Sequence, residues 1–384
     1  MFDAVIVSAV RTAVAKETGA LRDLPVEVFG AATIREAVSR ARVDGAEVDD
    51  VIWGSVMAGG GNVGRCTALQ AGLPVEVPGI SIDRQCASGV QAICLAAQAI
   101  RAGDAAILVA GGSDSMTRAP YLMARPPVAY SRTPPQFVRF QLAPDEIGNP
   151  PMGITAENVA ERYGISREEQ DRFALRSQQN AARAIAEGRF TEQIVPVELP
   201  QGGRFQVDEH PRPDTTLERL ARLKPAFKPG GTVTAGNTSG INDGAGACVL
   251  MEAKTAERRG VTPLGRLVGW AAAGVDPNYM GMGPVPAVRK ALAKTGLRLE
   301  QIDLIELNEA FASQAVACIK ELGMDPDRVN VNGGAIALGH PIAGTGAILT
   351  TKLLYELRRS GGRYGMVTAC IGGGQGIAAI FERL

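Results

Sequence analysis

The chain repeats itself, and the repeat restricts the fold more than any other feature. "AATIREAVSRARVDGAEVDDVI" at residues 31–52 is echoed by "VPAVRKALAKTGLRLEQIDLI" at 285–305. Aligning Val48 with Ile302 sets an offset of 254 residues (302 less 48), and the same offset carries Cys86 onto His340. Farther on, "AILVAGGSDS" is echoed by "GMVTACIGGG" after a small insertion. A unit written twice predicts two related halves with equivalent faces to bury. Cys86 and His340 are then expected in equivalent strand-to-helix turns, and a pseudo-twofold axis would bring such turns together.

Within each half, apolar strand-like runs alternate with stretches of helical spacing. "AVIVSAV", "VDDVIWGSV", "GISI" and "AAILVAGG" read as strands; "VFGAATIREAVSRA" reads as a helix. After Cys86, the residues Val90, Ile93, Cys94, Ala97 and Ile100 recur at helical intervals, and Gly103 ends the run. The alternation predicts an α/β fold with a mainly parallel sheet. Residues 118–240 break the rhythm with Pro-, Arg- and Gln-rich stretches, and carry one long helical segment that begins at a serine and stops at a glycine, "SREEQDRFALRSQQNAARAIAEG". They read as an inserted lobe. The expected division is 1–117 plus 241–263 for the first half, 118–240 for the insert and 264–384 for the second half.

Composition removes several functions. Lys+Arg and Asp+Glu both number 40, so no net field favours nucleic acid or an anionic membrane. Only His210 and His340 are present, which excludes a multi-histidine metal site, and none of the six cysteines forms a CxxC pair. The opening residues lack the pattern of a signal peptide, and no run reaches the ~18–20 apolar residues of a bilayer span. Free thiols in a reducing cytoplasm are the expectation.

What remains is thiol chemistry. "DRQCASGVQAI" places Cys86 at the start of a helix, whose first amides favour a thiolate. A free cysteine is also a common small core residue. A neutral imidazole beside Cys86 can take its proton, and "NGGAIALGHPIAGTGA" places His340 just before a helix, though a lone histidine also serves as a turn cap. "TACIGGGQG" puts Cys370 after a buried strand, where the Gly372 amide can face an oxyanion; three glycines also suit a turn packing strand on helix. "ELNEAFA" sets Asn308 and Glu309 at a strand end, where open α/β sheets place ligands, or at a helix N-cap. "GTVTAGNTSGINDGAGA" reads as a loop of small polar residues able to line a pocket for a long, thin ligand.

Taken together, "QCASGVQAI", "VTAGNTSGINDGA", "NEAFA", "GGAIALGHP" and "CIGGGQG" resemble the thiolase family, in order and over essentially the whole chain. The resemblance implies two stacked α/β halves in a five-layer αβαβα arrangement with a loop domain, assembled as a homotetramer. It implies Claisen chemistry on coenzyme A thioesters without another cofactor or a metal. Cys86 would be the acylated nucleophile, His340 its activator, and Cys370 the thiol that moves a proton to and from the acetyl methyl carbon. Asn308 would hold a water beside the enolate oxygen, and the amides of Cys86 and Gly372 would form a second oxyanion hole. Ser239, with Ala235 and Gly236 in the same loop, would touch the coenzyme A arm. Arg212 and Phe227 would lie near its nucleotide end; Met152, Ala310 and Phe311 would line the acyl pocket.

The sequence departs from the family pattern at three places. Asp83 stands where asparagine is common, Ala343 and Gly344 look exchanged, and Pro151 replaces a histidine frequent in acetoacetyl-specific members. The covering segment 125–150 is also unusual. The leading expectation is condensation of two acetyl-CoA to acetoacetyl-CoA, or its thiolytic reverse. Alternatives are a 3-ketoacyl-CoA thiolase for longer chains, a non-catalytic acyl-CoA-binding relative, and a cysteine hydrolase, which would have no use for a second thiol.

Overall fold

The computed structural model describes residues 3–130 and 132–384 and contains the repeat as two copies of one topology. The first copy runs β1 (Ala4–Thr12), α1 (Val26–Arg40), β2 (Asp50–Gly54), α2 (Val63–Gln70), β3 (Gly79–Ile82), α3 (Ser88–Ala102) and β4 (Ile107–Ser115). After α4 (Met152–Arg162) and α5 (Arg167–Ala186) in the insert, it closes with β5 (Asn242–Glu252). The second copy runs β6 (Gly265–Gly274), α6 (Pro284–Thr295), β7 (Leu304–Leu307), α7 (Ala312–Leu322), α8 (Ala335–Leu338), α9 (Ile342–Ser360), β8 (Tyr364–Ile371) and β9 (Gln375–Arg383).

The strands pair in the order β7-β8-β9-β6-β1-β5-β4-β2-β3. Outward from the β6–β1 seam, the two sides follow the same order. Val329 stands in for β3 in the second half: it bridges Ile305 in parallel, as Gly79 pairs with Val51. The sheet is not mainly parallel. Among the nine strands named, parallel pairing is confined to β2 with β3 and β4, and to β7 with β8; those nearest the seam pair with one another antiparallel. The reason is connection length. Only Gly372–Gly374 separate β8 from β9, too short for the crossover that parallel neighbours require. The glycine triplet therefore joins strand to strand rather than strand to helix, and Cys370 lies within β8 rather than after it.

Side-chain alternation builds the layers. On β4 and β5, Leu108, Ala110, Cys248 and Leu250 face a central core, while Val109, Ala247, Val249 and Met251 face the opposite way, towards α1 and α2. On β8 and β9, Val367, Ala369, Ile377 and Phe381 face the same central core, whereas Met366, Ala378 and Ile380 face α6 and α7. The central core is filled from α3 by Val90, Ile93 and Ile100 and from α9 by Leu349, Leu353 and Leu357. Helices thus lie outside both half-sheets and between them, giving five αβαβα layers. Each aliphatic side chain fully buried there contributes roughly 1.5–3 kcal/mol.

The two inner helices cross without room for side chains. A Cβ on Gly89 would lie 2.7 Å from the Ala343 carbonyl oxygen and 2.8 Å from the Ala347 nitrogen; one on Gly346 would lie 2.3 Å from the Val90 nitrogen. These glycines set the starts of α3 and α9 against each other. The two turns that enter them differ in build. The pairing strand residue to the nucleophile-position residue spans Gly79 to Cys86 in the first half and Val329 to His340 in the second, and the longer path accommodates the one-turn helix α8. His340 therefore sits in a helix-to-helix turn, not the expected strand-to-helix turn.

The insert is tied into this frame. Ile194–Val195 adds to β1 in parallel, and α5 carries the expected cap, with the Ser166 hydroxyl accepting from the Glu169 amide at 3.1 Å. The helix α4, which opens after Pro151, escaped the sequence reading. Leu122–Met123 pairs with Phe137–Val138 in an exposed hairpin inside the covering segment; Ser131 of that segment lies outside the described residues. No helix among the described residues is long and apolar enough to cross a membrane.

Replacing Gly89 by Ala forces the crossing apart and should cost about 1–3 kcal/mol of stability, read as a lower denaturant midpoint with an unchanged slope. Unaltered stability would show that the crossing is looser than described.

Candidate active site

Cys86 is presented by a constrained turn. After β3, Gln85 adopts φ +46°, in the left-handed region that non-glycine residues seldom enter. Asp83 holds it there: the Gln85 amide donates to Asp83 Oδ1 at 2.7 Å, and Gln85 Nε2 donates to the same oxygen at 3.1 Å. The Ser88 hydroxyl locks the turn further, accepting from the Arg84 amide at 2.9 Å and donating to the Gln85 carbonyl at 2.8 Å. Asp83 therefore retains a role at the position where the sequence departs from the family pattern.

The turn packs against both β8 and α9. The amides of Gly372 and of Cys86 itself donate to the Cys86 sulfur and lower its pKa. Burial outweighs them. The thiol is pushed up to about 11, with Asp114 and Asp83 adding smaller like-charge penalties. Cys370 is fully buried, and its thiol is raised well above the usual range by burial first and by the neighbouring Cys86 second.

His340 is held from three sides. Its backbone amide donates to Asn242 Oδ1 at 3.0 Å, its Nδ1 lies 2.6 Å from the Thr345 hydroxyl, and its Nε2 lies 3.4 Å from Asn308 Nδ2. With Nδ1–H donating to Thr345, Nε2 carries the lone pair and accepts from Asn308 Nδ2 at rest, the tautomer a base needs. Burial lowers this imidazole to about 4. At rest the Cys86 thiol and the His340 imidazole are thus each neutral. The ion pair suggested by a helix N-terminus beside a histidine is overruled by desolvation, which disfavours both charged forms at once.

Asn308 follows β7 directly, and its amide donates to the Thr368 carbonyl at 2.9 Å, two residues before Cys370. Its Oδ1 is buried without a partner among the described residues. Glu309 is not a helix cap, since Phe311 holds that position of α7. Its carboxylate accepts from the Ser177 hydroxyl at 2.6 Å, Asn330 Nδ2 at 2.7 Å and the Ile336 amide at 3.1 Å, pinning the loop before His340 to the insert.

Arg212, Ala235 and Gly236 line one open pocket with Gln178, His210 and Arg219. The Ser239 amide donates to the Ala310 carbonyl at 3.0 Å. Met152, Ala310 and Phe311 pack in one cluster with Cys370. The Phe227 ring stands edge-on to Phe311 with centroids 6.2 Å apart and covers Gly153, because a residue without a side chain leaves that space on α4.

Sequence reasoning missed Asp114, Asn242 and Thr345. Asp114 accepts from the amides of Val56, Met57 and Ala343 and so fastens the start of α9; burial raises its carboxyl to about 7. Ala343 serves there through its backbone, while Gly344 occupies the tighter place, 2.7 Å from the Gly244 carbonyl for any Cβ. The available signals were the repeat echo "GGSDS" for Asp114 and the threonine five residues after His340. Asn242 was hidden because "INDGAGA" reads as loop, whereas Asn242 opens β5.

Comparison with known proteins agrees with this arrangement. The family described as "Thiolase, N-terminal domain" matches residues 4–254, and "Thiolase, C-terminal domain" matches 261–383. An acetyl-CoA acetyltransferase of Pseudomonas aeruginosa is 49% identical, with all of both chains covered. A beta-ketothiolase of Cupriavidus necator is 48% identical, covering 100% of this chain and 99% of its own. Among solved structures, the acetyl-CoA acetyltransferase of Bacillus anthracis superposes with a TM-score of 0.95 at 44% identity, covering 100% of this chain and 99% of its own. Human mitochondrial 3-ketoacyl-CoA thiolase in complex with CoA gives 0.94 at 41%, covering 100% and 98%.

A thiol raised to about 11 is protonated at neutral pH, so its thiolate fraction grows tenfold per pH unit until near that value. Alkylation of Cys86 by iodoacetamide in the resting protein should keep accelerating up to pH 10. A plateau beginning near pH 7 would contradict the neutral resting groups. Asp83→Asn, which keeps an acceptor but removes the charge, should raise the rate at pH 8 by about two- to fivefold.

Proposed function

The chain belongs to the thiolase family of acyltransferases, and we propose that it interconverts two acetyl-CoA with acetoacetyl-CoA and CoA through an acyl group carried on Cys86. The observation that carries this reading is the convergence of the Cys86 and Gly372 amides on the Cys86 sulfur, with a second thiol, Cys370, near enough to feel its charge.

The Cys86 sulfur attacks the thioester carbonyl carbon, and the bond to the coenzyme A sulfur breaks. His340 Nε2 takes the thiol proton and returns it to the departing sulfur. Neutral resting groups suit this exchange, because charge develops only as the bonds change and preset amides are ready for it. Acylation also alters Cys370. Two thiols near enough to feel each other's charge cannot both ionise cheaply, and a Cys86 held as a thioester cannot ionise at all, so Cys370 takes up charge without that repulsion. His340, neutral again once CoA has left, takes the Cys370 proton, and the Cys370 thiolate takes one from the methyl carbon of the second acetyl-CoA. The carbanion attacks the acyl-cysteine carbonyl, Cys86 leaves as thiolate, and the proton on His340 passes to it, which leaves both thiols protonated as at the start. Asn308 and His340 support the enolate oxygen, and the unpartnered Asn308 Oδ1 fits an acceptor for a bridging water.

The surroundings of Cys370 favour a short acyl group. The thiol is enclosed by Ala156, Val233, Met280, Ala310 and Phe311, which leaves place for a small carbon acid. The open pocket with Arg212 and Arg219 supplies positive charge for the phosphates of coenzyme A. Assembly as a homotetramer is supported by the exposed hairpin, where Tyr121, Met123, Phe137 and Val138 present apolar surface to solvent. A reducing compartment suits a mechanism that needs both thiols free.

Cys86→Ala should abolish turnover, and retained condensation would defeat the assignment. His340→Ala should slow release of CoA from acetyl-CoA by about 10²–10⁴-fold. Cys370→Ala separates the steps: a first-turnover burst of CoA should survive while condensation collapses. If Cys370→Ala leaves steady turnover intact, the enzyme is a hydrolase.

A further inference from the structure

The two histidines of the chain are joined by one side chain. Asn242 is fully buried, and both polar atoms of its side chain have partners. Its Oδ1 accepts from the His340 amide at 3.0 Å. Its Nδ2 donates to the Ala15 carbonyl at 2.9 Å and lies 3.4 Å from His210 Nδ1. His210 is half-buried at the rim of the pocket that also holds Arg212 and Arg219. Two glycines make room for this chain of contacts. A Cβ on Gly339 would lie 2.6 Å from the Asn242 amide carbon, and Gly339 has φ +100°; a Cβ on Gly240 would lie 2.2 Å from His210 Cε1.

We propose that Asn242 is a positioning residue, which holds the His340 backbone where its imidazole can serve Cys86 and anchors that hold on the His210 ring at the coenzyme A pocket. The inference rests on the proposed thiolase reaction. Thr345 and Asn308 orient the imidazole about its own axis, but neither fixes the height of the turn. Among the described residues, the one hydrogen bond that ties the His340 backbone to the first half of the chain is to Asn242 at the start of β5; the His340 amide precedes α9 and has no partner within that helix. An Nδ1 that accepts from Asn242 requires a neutral His210, and burial lowers that imidazole to about 4, with Arg212 and Lys16 adding to the effect. The interaction is therefore kept at neutral pH.

Three variants of the full-length enzyme test it, with acetyl-CoA as the probe and first-turnover release of CoA as the readout. Asn242→Leu fills the space but can neither accept from His340 nor donate. It should lower the acylation rate about 10–100-fold with KM within about twofold, because a misplaced base impairs the step rather than binding. Asn242→Asp keeps the acceptor for the His340 amide and should recover a substantial part of that loss. His210→Ala, on the open side, removes the outer anchor and should lower the rate by about three- to tenfold at constant KM. A wild-type rate in Asn242→Leu overturns the proposal, as does an Asp variant no better than the Leu one. A rise in KM for His210→Ala at unchanged rate would instead assign that ring to direct contact with substrate, and also overturns it. If the Leu variant does not fold, the Asp and His210 variants decide the matter. Wild-type protein that never releases CoA would defeat the functional reading itself, a result distinct from variants that match an active wild type.

Discussion

The contact between α3 and α9 is the constraint on which the rest of the molecule depends. Gly89 and Gly346 let two helix starts approach with backbone against backbone, and both half-sheets close over the pair. Each inner helix is preceded by a turn, so the crossing delivers two turns, from distant parts of the chain, to one end of the same core. Close packing makes the placement sharp, since a displaced helix would open voids on both of its faces. An active site formed at such a junction inherits the rigidity of the core.

Around this junction, side chains from separate segments fasten the one stretch that is not regular. The run from 330 to 343 has only a single helical turn of its own, and Glu309, Asn242 and Asp114 hold it at Ile336, His340 and Ala343. Each offers a carboxylate or amide oxygen to a backbone N–H that the chain's own helices leave unpaired. Buried acceptors placed this way satisfy the backbone and set the imidazole at the same time.

Burial also decides the electrostatics. A thiol and an imidazole removed from water both prefer to be neutral, and the amides aimed at the Cys86 sulfur reduce the cost of its charge without cancelling it. Charge is then tolerated only transiently, on the reacting atoms. The two thiols add an ordering rule, because ionisation of one opposes ionisation of the other until an acyl group occupies the first.

Much of this was legible in the chain. The repeat specified two halves and brought Cys86 and His340 into correspondence, and helical spacing after Cys86 located α3. The five motifs named the residues proposed for the site. Local pattern misread the strand directions, since a parallel and an antiparallel neighbour carry the same alternation and only the three-residue link at Gly372–Gly374 tells them apart. It missed α4, because Pro150, Pro151 and Gly153 around its start read as a continuation of the irregular insert, and it took the start of β5 for a loop because glycines and alanines there pack closely instead of presenting bulky side chains. The sequence by itself determined the duplicated α/β unit, which follows from spacing along one dimension, and nominated the reactive groups through motifs that resemble those of the family. Only the tertiary structure decided that the thiol rests uncharged, that Phe227 covers Gly153, and that Asn242 spans two histidines. Desolvation, steric room and hydrogen-bond partnership arise from atoms remote in sequence, and they take effect only when the chain has closed around them.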